Sequence, residues 1–269
     1  MKDDPDPLTE VVDETEPFAD ASQDSPALRR ARRRAGWMSI GLLLVAAVLA
    51  VSVAIDPVTP WFQFIDDWWL RLMQTHQNRL LTDFAKVLNV VGSGVVTWPL
   101  RVGALLLLLL RRRFTQGSAF VIAVVLSELC IGPLKFILGR QRPLEGLVST
   151  TSASFPSGHA IATAVTAFGL VIAFMPRGRR RLHWMIAASF LGGAMAWSRT
   201  YLGAHWATDT IAGIGIGVGL AVGVDVVLTS LRTEVAEVDE FSDKRSDDVT
   251  QRVENRTSRT PPMPNEDSR

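Results

Sequence analysis

The chain has 269 residues, 48% of them apolar, and its formal net charge at pH 7 is +1. The apolar residues are concentrated in blocks such as 39–54, 103–110 and 211–227, while most charges lie between the blocks and at the two ends. This distribution argues against a soluble globular protein and is typical of a membrane protein. The net charge excludes no class of function, because it averages an acidic N-terminal segment against several arginine clusters.

The two ends of the chain have the composition of tails. Residues 1–35 begin as an acidic, proline-rich segment and end in an arginine cluster, and residues 231–269 are similarly polar. Both tails are predicted to be disordered, because they contain too few large apolar groups to offset the entropy of ordering. The first segment also differs from the basic start of a cleavable signal peptide, so the first apolar block is expected to remain as a span.

Six apolar segments occur in the domain between the tails, residues 36–230. A membrane-spanning helix needs about 20 apolar residues, and the fourth and fifth segments are short by that measure. We nevertheless predict an all-α domain, a bundle of six transmembrane helices. The segments are 37–54, 88–110, 118–138, 160–175, 184–197 and 210–228.

Arginine clusters give the predicted orientation of this bundle. They occupy 29–34, 111–113 and 177–181, and six alternating spans put all three on the same side. The excess of Arg and Lys in cytoplasmic loops makes that side the inside of the plasma (inner) membrane, with both termini cytoplasmic. A five-span arrangement would put one cluster outside, so the agreement also supports the count of six.

Several residues within and beside the spans are interpreted as structural. Arg101 and Glu128 lie at membrane depth, where a lone charge is unfavourable, and they are predicted to pair. The glycines between residues 213 and 223 are predicted to let helices pack closely. In the first outer connection, the tryptophan-containing stretch 61–73 is predicted to lie along the membrane interface.

A set of chemically reactive or anion-binding residues lies at the outer ends of the predicted spans. The topology brings together the end of the third span, the start of the fourth, the end of the fifth and the start of the sixth. We therefore predict an active site at the outer (periplasmic or extracellular) membrane interface. The set is Lys135, Arg142, Ser157, Gly158, His159, Arg199, His205 and Asp209.

The cations of this set predict a site for a multiply charged oxyanion. Arg142 and Arg199 offer planar forks that match phosphate oxygens, and Lys135 offers a compact charge. Ser157 stands where a helix is predicted to begin, so its hydroxyl and the following backbone N–H groups can face an anion. Gly158 lets the backbone approach that anion closely.

Two histidines and an aspartate add a nucleophile and an acid. His205 and Asp209 are four residues apart and would share a helix face, so the carboxylate can orient one ring nitrogen and leave the other free to attack. His159, from another span, is predicted to act as the acid toward the leaving oxygen. Arg140 is not included, because a lone Arg near a span end usually extends to the lipid headgroups.

Three stretches of this sequence resemble the signature of the type 2 phosphatidic acid phosphatase family, within the lipid phosphatase and haloperoxidase-like superfamily. They are Lys135-x6-Arg142-Pro143, Pro156-Ser157-Gly158-His159 and Ser198-Arg199-x5-His205-x3-Asp209. The resemblance implies a phosphohistidine at His205, oriented by Asp209, with His159 as acid and then as base. It also implies that no metal or cofactor takes part, and that the phosphate is held by Lys135, Arg142, Ser157, Gly158 and Arg199.

The function implied by the resemblance is that of a membrane lipid phosphatase. Phosphatidic acid, phosphatidylglycerol phosphate and undecaprenyl diphosphate are the candidate substrates. Two alternatives stay open: a lipid phosphotransferase that uses the same residues, and a non-catalytic lipid-binding or transport protein, which would need the cations but not the nucleophile. The expected partners are the lipid substrate and the membrane, not nucleic acid, and no oligomeric state is predicted.

Overall fold

In a computed structural model of the chain, the described residues are 26–257, although for some side chains beyond residue 236 nothing is described. Residues 30–230 form one compact unit, and the described residues 26–29 and 231–257 belong to a second unit and are helical. The described part contains eight helices and no strand, as predicted for an all-α protein. The helices are α1 (Pro26–Ile55), α2 (Gln63–Thr75), α3 (Arg79–Val91), α4 (Gly94–Leu110), α5 (Phe114–Leu138), α6 (Gly158–Phe174), α7 (Arg179–Tyr201) and α8 (Ala207–Thr257).

Three of these helices are long and apolar enough to cross a membrane: α1, α5 and the Ala207–Ala236 part of α8. Helices α3 and α4 add a fourth span when the bent pair is taken as one, and α6 is apolar but has only 17 residues. Four of the six predicted segments lie wholly in helix, 160–175 extends one residue beyond α6, and 88–110 crosses the break between α3 and α4. The membrane class is confirmed. The count of six spans stays a prediction.

The second predicted span, 88–110, is wrong as a single straight helix. Helix α3 ends at Val91, α4 begins at Gly94, and the two are bent by 45°. Ser93 between them has extended backbone, with ψ 160°, and serves as the N-cap position of α4. The hydrophobic run continues across this break, so hydropathy alone does not reveal it.

Helix α2 corresponds to the predicted interfacial stretch 61–73. Trp68 and Phe64 are exposed on this helix, while Asp66 and Met73 are buried against the protein. A helix that exposes an apolar face and buries a polar side chain against the protein is suited to the membrane interface. The burial of the charged Asp66 was not predicted.

Helix α6 is buried along most of its length and is packed closely by α8. A Cβ atom added at Gly217 would lie 2.7 Å from Cβ of Ala164 and 2.8 Å from the carbonyl oxygen of Ile161, both on α6. A Cβ at Gly219 would instead lie 2.7 Å from Cγ of Leu43 on α1. The predicted packing role of these glycines is confirmed, with two rows of glycine facing two different helices.

The predicted pairing of Arg101 with Glu128 is also confirmed. Nη1 of Arg101 donates to Oε1 of Glu128 at 2.7 Å, and its Nε donates to the Thr166 hydroxyl at 2.8 Å. The same guanidinium donates to the carbonyl oxygen of Ala162 at 3.3 Å. These contacts join α4, α5 and α6 and satisfy a charge that would be costly alone in a bilayer.

Helices extend into both predicted tails, whose disorder stays a prediction. Helix α1 begins at Pro26, within the predicted tail 1–35, and α8 continues to Thr257, within the predicted tail 231–269. Proline is well tolerated in the first turn of a helix, and residues 224–260 contain no Gly or Pro that would end one. Residues 1–25 and 258–269 lie outside the described residues.

Candidate active site

The site is built where the loop between α5 and α6 meets the short connection between α7 and α8. The N–H of Leu147 donates to the carbonyl oxygen of Leu202 at 2.8 Å, and that of Ser157 donates to the carbonyl oxygen of Asp209 at 3.1 Å. Gly203 has φ +62°, and a Cβ there would lie 3.0 Å from Cα of Gly146. Both the left-handed backbone and the close approach require glycine at this crossing.

His205 is oriented by different groups at its two ring nitrogens. Nδ1 lies 3.5 Å from Oδ2 of Asp209, and Nε2 lies 3.2 Å from Nη1 of Arg142. A guanidinium can only donate, so Nε2 is the acceptor and carries the lone pair, while Nδ1 carries the proton toward Asp209. His205 precedes α8, which begins at Ala207, so the pair does not share a helix face as predicted, although the contact forms.

Burial makes His205 a neutral imidazole at neutral pH. The side chain is 2% exposed, and desolvation lowers its pKa to about 4. The carboxylate of Asp209 raises the pKa of His205. The positive charges of Arg142 and Arg199 lower it further, in the same direction as burial. A neutral ring with its lone pair at Nε2 is the form that can attack an electrophile.

Asp209 is held by donors on both carboxylate oxygens. Oδ1 accepts from Nη1 of Arg140 at 2.6 Å. Oδ2 accepts from the backbone N–H of Trp206 at 3.0 Å and from the Ser154 hydroxyl. This carboxylate is fully buried, so its position relative to His205 is fixed by the protein and not by water.

Arg142 connects the two loops of the site. Its Nε and Nη2 donate to the carbonyl oxygens of Ser152 and Ala153 at 2.7 and 3.2 Å, and its Nη1 donates to the carbonyl oxygen of Ala204. Together with the contacts to His205 and the Ser152 hydroxyl, all five guanidinium N–H groups have protein acceptors. Arg142 therefore organises the site as well as contributing positive charge.

Two further residues predicted to hold phosphate retain buried polar atoms without a partner among the described residues. These are Nε of Arg199, in the last turn of α7, and Oγ of Ser157, the N-cap residue of α6. Polar groups buried without a partner are unfavourable in water-excluded protein, so these two atoms are available to bind an oxyanion. Gly158 begins α6 next to them, and a Cβ there would meet only Ile131, at 3.8 Å.

Lys135 and His159 complete the set. Nζ of Lys135 donates to the carbonyl oxygen of Ala153 at 2.5 Å, and its charge interacts with those of Arg142, Arg199 and Asp209. His159, the second residue of α6, interacts electrostatically with Arg199, His205 and Arg142. The fold thus brings together all eight residues predicted for the site.

Asn89 was missed by the sequence reasoning. Its Oδ1 accepts from Nη1 of Arg199, and its backbone interacts electrostatically with the ring of His159. Helix α3 carries Asn89 and packs against α7, which carries Arg199. The only signal in the sequence is one amide within the apolar run 88–91.

Arg140 contradicts its predicted position at the lipid headgroups. The side chain is 1% exposed, and its guanidinium lies between the carboxylates of Asp209 and Asp66. Two buried carboxylates provide counter-charges that favour burial over solvation. Asp66, on α2, was also missed.

Metal ligands do not form a cluster in the part of the chain that the structure describes. Across residues 26–257, no group of three His, Cys, Asp or Glu side chains is placed to hold a metal ion. The site as described consists of cations, hydroxyls, two imidazoles and one paired carboxylate.

Comparisons with known proteins agree on one family. The PAP2 superfamily model matches residues 116–231. The chain is 31% identical over 154 residues to an undecaprenyl-diphosphatase of Sulfolobus acidocaldarius, covering 53% of this chain and 68% of the relative. It is 26% identical over 187 residues to phosphatidylglycerophosphatase B of Bacillus subtilis, covering 67% of this chain and 89% of the relative.

A solved structure is also similar to this chain. The crystal structure of a transmembrane PAP2 type phosphatidylglycerolphosphate phosphatase from Bacillus subtilis aligns with a TM-score of 0.61 and 26% identity. It covers 70% of this chain and 94% of the solved chain. These matches confirm the resemblance seen in the three motifs. The chain belongs to the PAP2 superfamily, as a membrane-embedded lipid phosphatase.

Proposed function

We propose that the chain hydrolyses a phosphate monoester or diphosphate of a membrane lipid through a phosphohistidine at Nε2 of His205. The observation that carries this proposal is the orientation of His205, whose Nε2 faces the cations while Nδ1 faces a buried carboxylate. A lipid-binding protein would need the cations alone. A neutral imidazole oriented in this way is suited to nucleophilic catalysis.

In the first step, the Nε2 lone pair of His205 attacks phosphorus and forms the N–P bond. The bond between phosphorus and the leaving oxygen breaks; this oxygen belongs to the lipid alcohol in a monoester and to the remaining lipid phosphate in a diphosphate. The negative charge of the bound phosphate favours the protonated form of His159, which gives its proton to that oxygen. Asp209 stabilises the positive charge that develops on the ring of His205. In the second step water attacks phosphorus, neutral His159 takes its proton, and the N–P bond breaks to release inorganic phosphate.

The negative charge of the transferring phosphoryl group is stabilised by fixed cations. Arg199 and Ser157 each supply one buried polar atom that has no hydrogen-bond partner among the described residues. Lys135, in the last turn of α5, and Arg142, in the loop that follows, add positive charge. Donors held in place before the reaction stabilise the transition state most effectively where water is excluded.

The surroundings of the site favour a lipid as the substrate. Phe136, next to Lys135, is 90% exposed, and Leu144, two residues after Arg142, is 84% exposed. Apolar side chains exposed beside a cationic site suit an amphiphile whose head reaches the site from the bilayer. The relatives named for undecaprenyl diphosphate and phosphatidylglycerophosphate make these two lipids, with phosphatidic acid, the substrates to test.

The proposed setting is a six-span protein of the plasma membrane with the site outside and both termini in the cytoplasm. The positive-inside distribution of arginine supports this orientation. In a Cys130→Ser background, Ser149→Cys should react with an impermeant thiol reagent on intact cells. Arg180→Cys should react only after permeabilisation. The opposite pattern would reverse the orientation.

Phosphate release from a lipid panel tests the proposed activity. The purified full chain is assayed on phosphatidic acid, phosphatidylglycerol phosphate and undecaprenyl diphosphate, together with His205→Ala and the matched control His183→Ala, an exposed histidine of α7. We expect release by the natural chain and the control but not by His205→Ala. Equal release by His205→Ala would overturn the proposal. Transfer of phosphate only to an added alcohol would identify a phosphotransferase instead.

A further inference from the structure

Arg140 joins two buried carboxylates beside the reacting groups. Nη1 donates to Oδ1 of Asp209 at 2.6 Å, and Nη2 donates to Oδ2 of Asp66 at 2.8 Å. The rings of Phe62 and Trp206 lie with their centroids 5.4 and 5.5 Å from Cζ of Arg140. Two carboxylates and two aromatic rings therefore fix this guanidinium in one position.

Asp66 holds the start of the helix that carries Asp209. Its Oδ1 accepts from the backbone N–H of Thr208 at 2.9 Å, and its Oδ2 accepts from the Thr208 hydroxyl at 2.6 Å. Arg140 in turn donates to the same hydroxyl at 2.9 Å. A carboxylate at the first N–H groups of a helix is also favoured by the helix dipole. Asp66 thus links α2 to the first turn of α8.

These contacts determine which oxygen of Asp209 faces His205. The terminal torsion of an aspartate is broad, so the carboxylate needs external contacts to be fixed. Arg140 occupies Oδ1, which leaves Oδ2 toward Nδ1 of His205 at 3.5 Å. The backbone N–H of Ser154 donates to the carbonyl oxygen of Arg140 at 2.8 Å, and the Ser154 hydroxyl donates to Oδ2.

We propose that Arg140 and Asp66 are positioning residues for the reaction, an inference that rests on the proposed function. Arg140 fixes the carboxylate of Asp209, while Asp66 fixes Arg140 and the first turn of α8. Two carboxylates and one guanidinium leave this cluster with one negative charge. The ring of His205 gains positive charge as its N–P bond forms. The negative charge of the cluster stabilises this positive charge, because Asp209 contacts the ring.

The test separates positioning from general stability. We expect Asp66→Asn and Arg140→Gln to lower kcat by about 10- to 100-fold, as is usual for groups that orient a catalytic residue, and to change KM by less than about threefold. Glu128→Gln is the matched control, because it also removes the carboxylate partner of a buried arginine, Arg101, outside the site. Its kcat should match that of the natural chain. Thermal unfolding is measured for every variant.

A double-mutant cycle tests whether Arg140 acts through Asp209. If it does, the kcat of Arg140→Gln combined with Asp209→Asn should equal that of Asp209→Asn alone within about twofold. The inference would be overturned if the losses of kcat from Arg140→Gln and Asp209→Asn multiply in the double variant. Unchanged kcat in both Asp66→Asn and Arg140→Gln would also overturn it. Arg140→Lys replaces Arg140→Gln in the cycle if the latter does not fold. Activity that survives in His205→Ala would instead overturn the proposed function, so the two failures are distinguishable.

Discussion

Nδ1 of His205 lies 3.5 Å from Oδ2 of Asp209, and the two side chains are 2% and 0% exposed. At this separation the carboxylate selects the tautomer with its proton on Nδ1, which leaves Nε2 unprotonated. The contact is long for a hydrogen bond, and catalytic contacts of this kind often tighten only when substrate binds. Its main consequence is that the nucleophile is oriented before any lipid arrives.

Asp209→Asn is expected to lower kcat by roughly 100- to 10,000-fold, because an amide no longer selects the productive tautomer or stabilises the positive ring. Steady-state phosphate release measures this loss. Asp83→Asn removes the same charge from an exposed position of α3 and should leave kcat unchanged. A loss of less than threefold in Asp209→Asn would remove Asp209 from the proposed role.

The pH dependence of kcat/KM should reflect the depressed pKa of His205. Attack requires the neutral ring, so the rate should fall on the acid side near pH 4, where this group gains its proton, and not near its ordinary value of 6.5. Ionisation of the substrate phosphate also affects the profile but is identical for all variants.

Comparing the pH profile of Arg142→Gln with that of the natural chain isolates the contribution of His205 to the acid limb. The positive charge of Arg142 disfavours a protonated ring, so its removal should move the acid limb to higher pH. An acid limb that stays in place would show that His205 does not control it.

Orthovanadate should inhibit phosphate release, because it can take the place of the phosphoryl group against Nε2 of His205 and the surrounding cations. EDTA should leave the activity unchanged, as the resemblance to type 2 phosphatidic acid phosphatases implies. Initial rates at increasing concentrations of each compound measure both effects. Loss of activity with EDTA that Mg²⁺ restores would contradict the metal-free reaction.

Several features of the fold and site were predictable because they depend on local sequence. The hydrophobic runs mark the helices, and the polar residues at the ends of these runs identify the candidate site without knowledge of side-chain contacts. The pairing of Arg101 with Glu128 could be predicted because a charge at membrane depth needs a partner. The glycines of α8 were predictable from their spacing in the same way.

The remaining features depend on elements that meet only in the folded chain. Asp66 contacts Arg140 across 74 positions of sequence, and Asn89 contacts Arg199 across 110. No periodicity or spacing connects such residues. A rule for lone arginines near span ends gave the wrong position for Arg140, because it takes no account of buried carboxylates contributed by other helices.

Helix packing around α6 gives a stability prediction. Gly217→Ala should lower the free energy of unfolding by about 1–3 kcal/mol, because its Cβ would meet Cβ of Ala164 and the backbone oxygen of Ile161. Gly103→Ala is the control, since an added Cβ there has no atom within 4 Å. Thermal unfolding in detergent should show a lower midpoint for Gly217→Ala only. Equal midpoints would mean that α8 and α6 are less tightly packed than described.

Trapping of the covalent intermediate tests the central claim most directly. The full chain is mixed with a lipid labelled with ³²P in its terminal phosphate, quenched within its first turnover, and digested for peptide mapping. We predict label on His205, lost in acid and stable in base as expected for a phosphoramidate, and absent from His205→Ala while His183→Ala retains it. Label on another residue, or rapid phosphate release with no labelled protein at any time, would contradict the account.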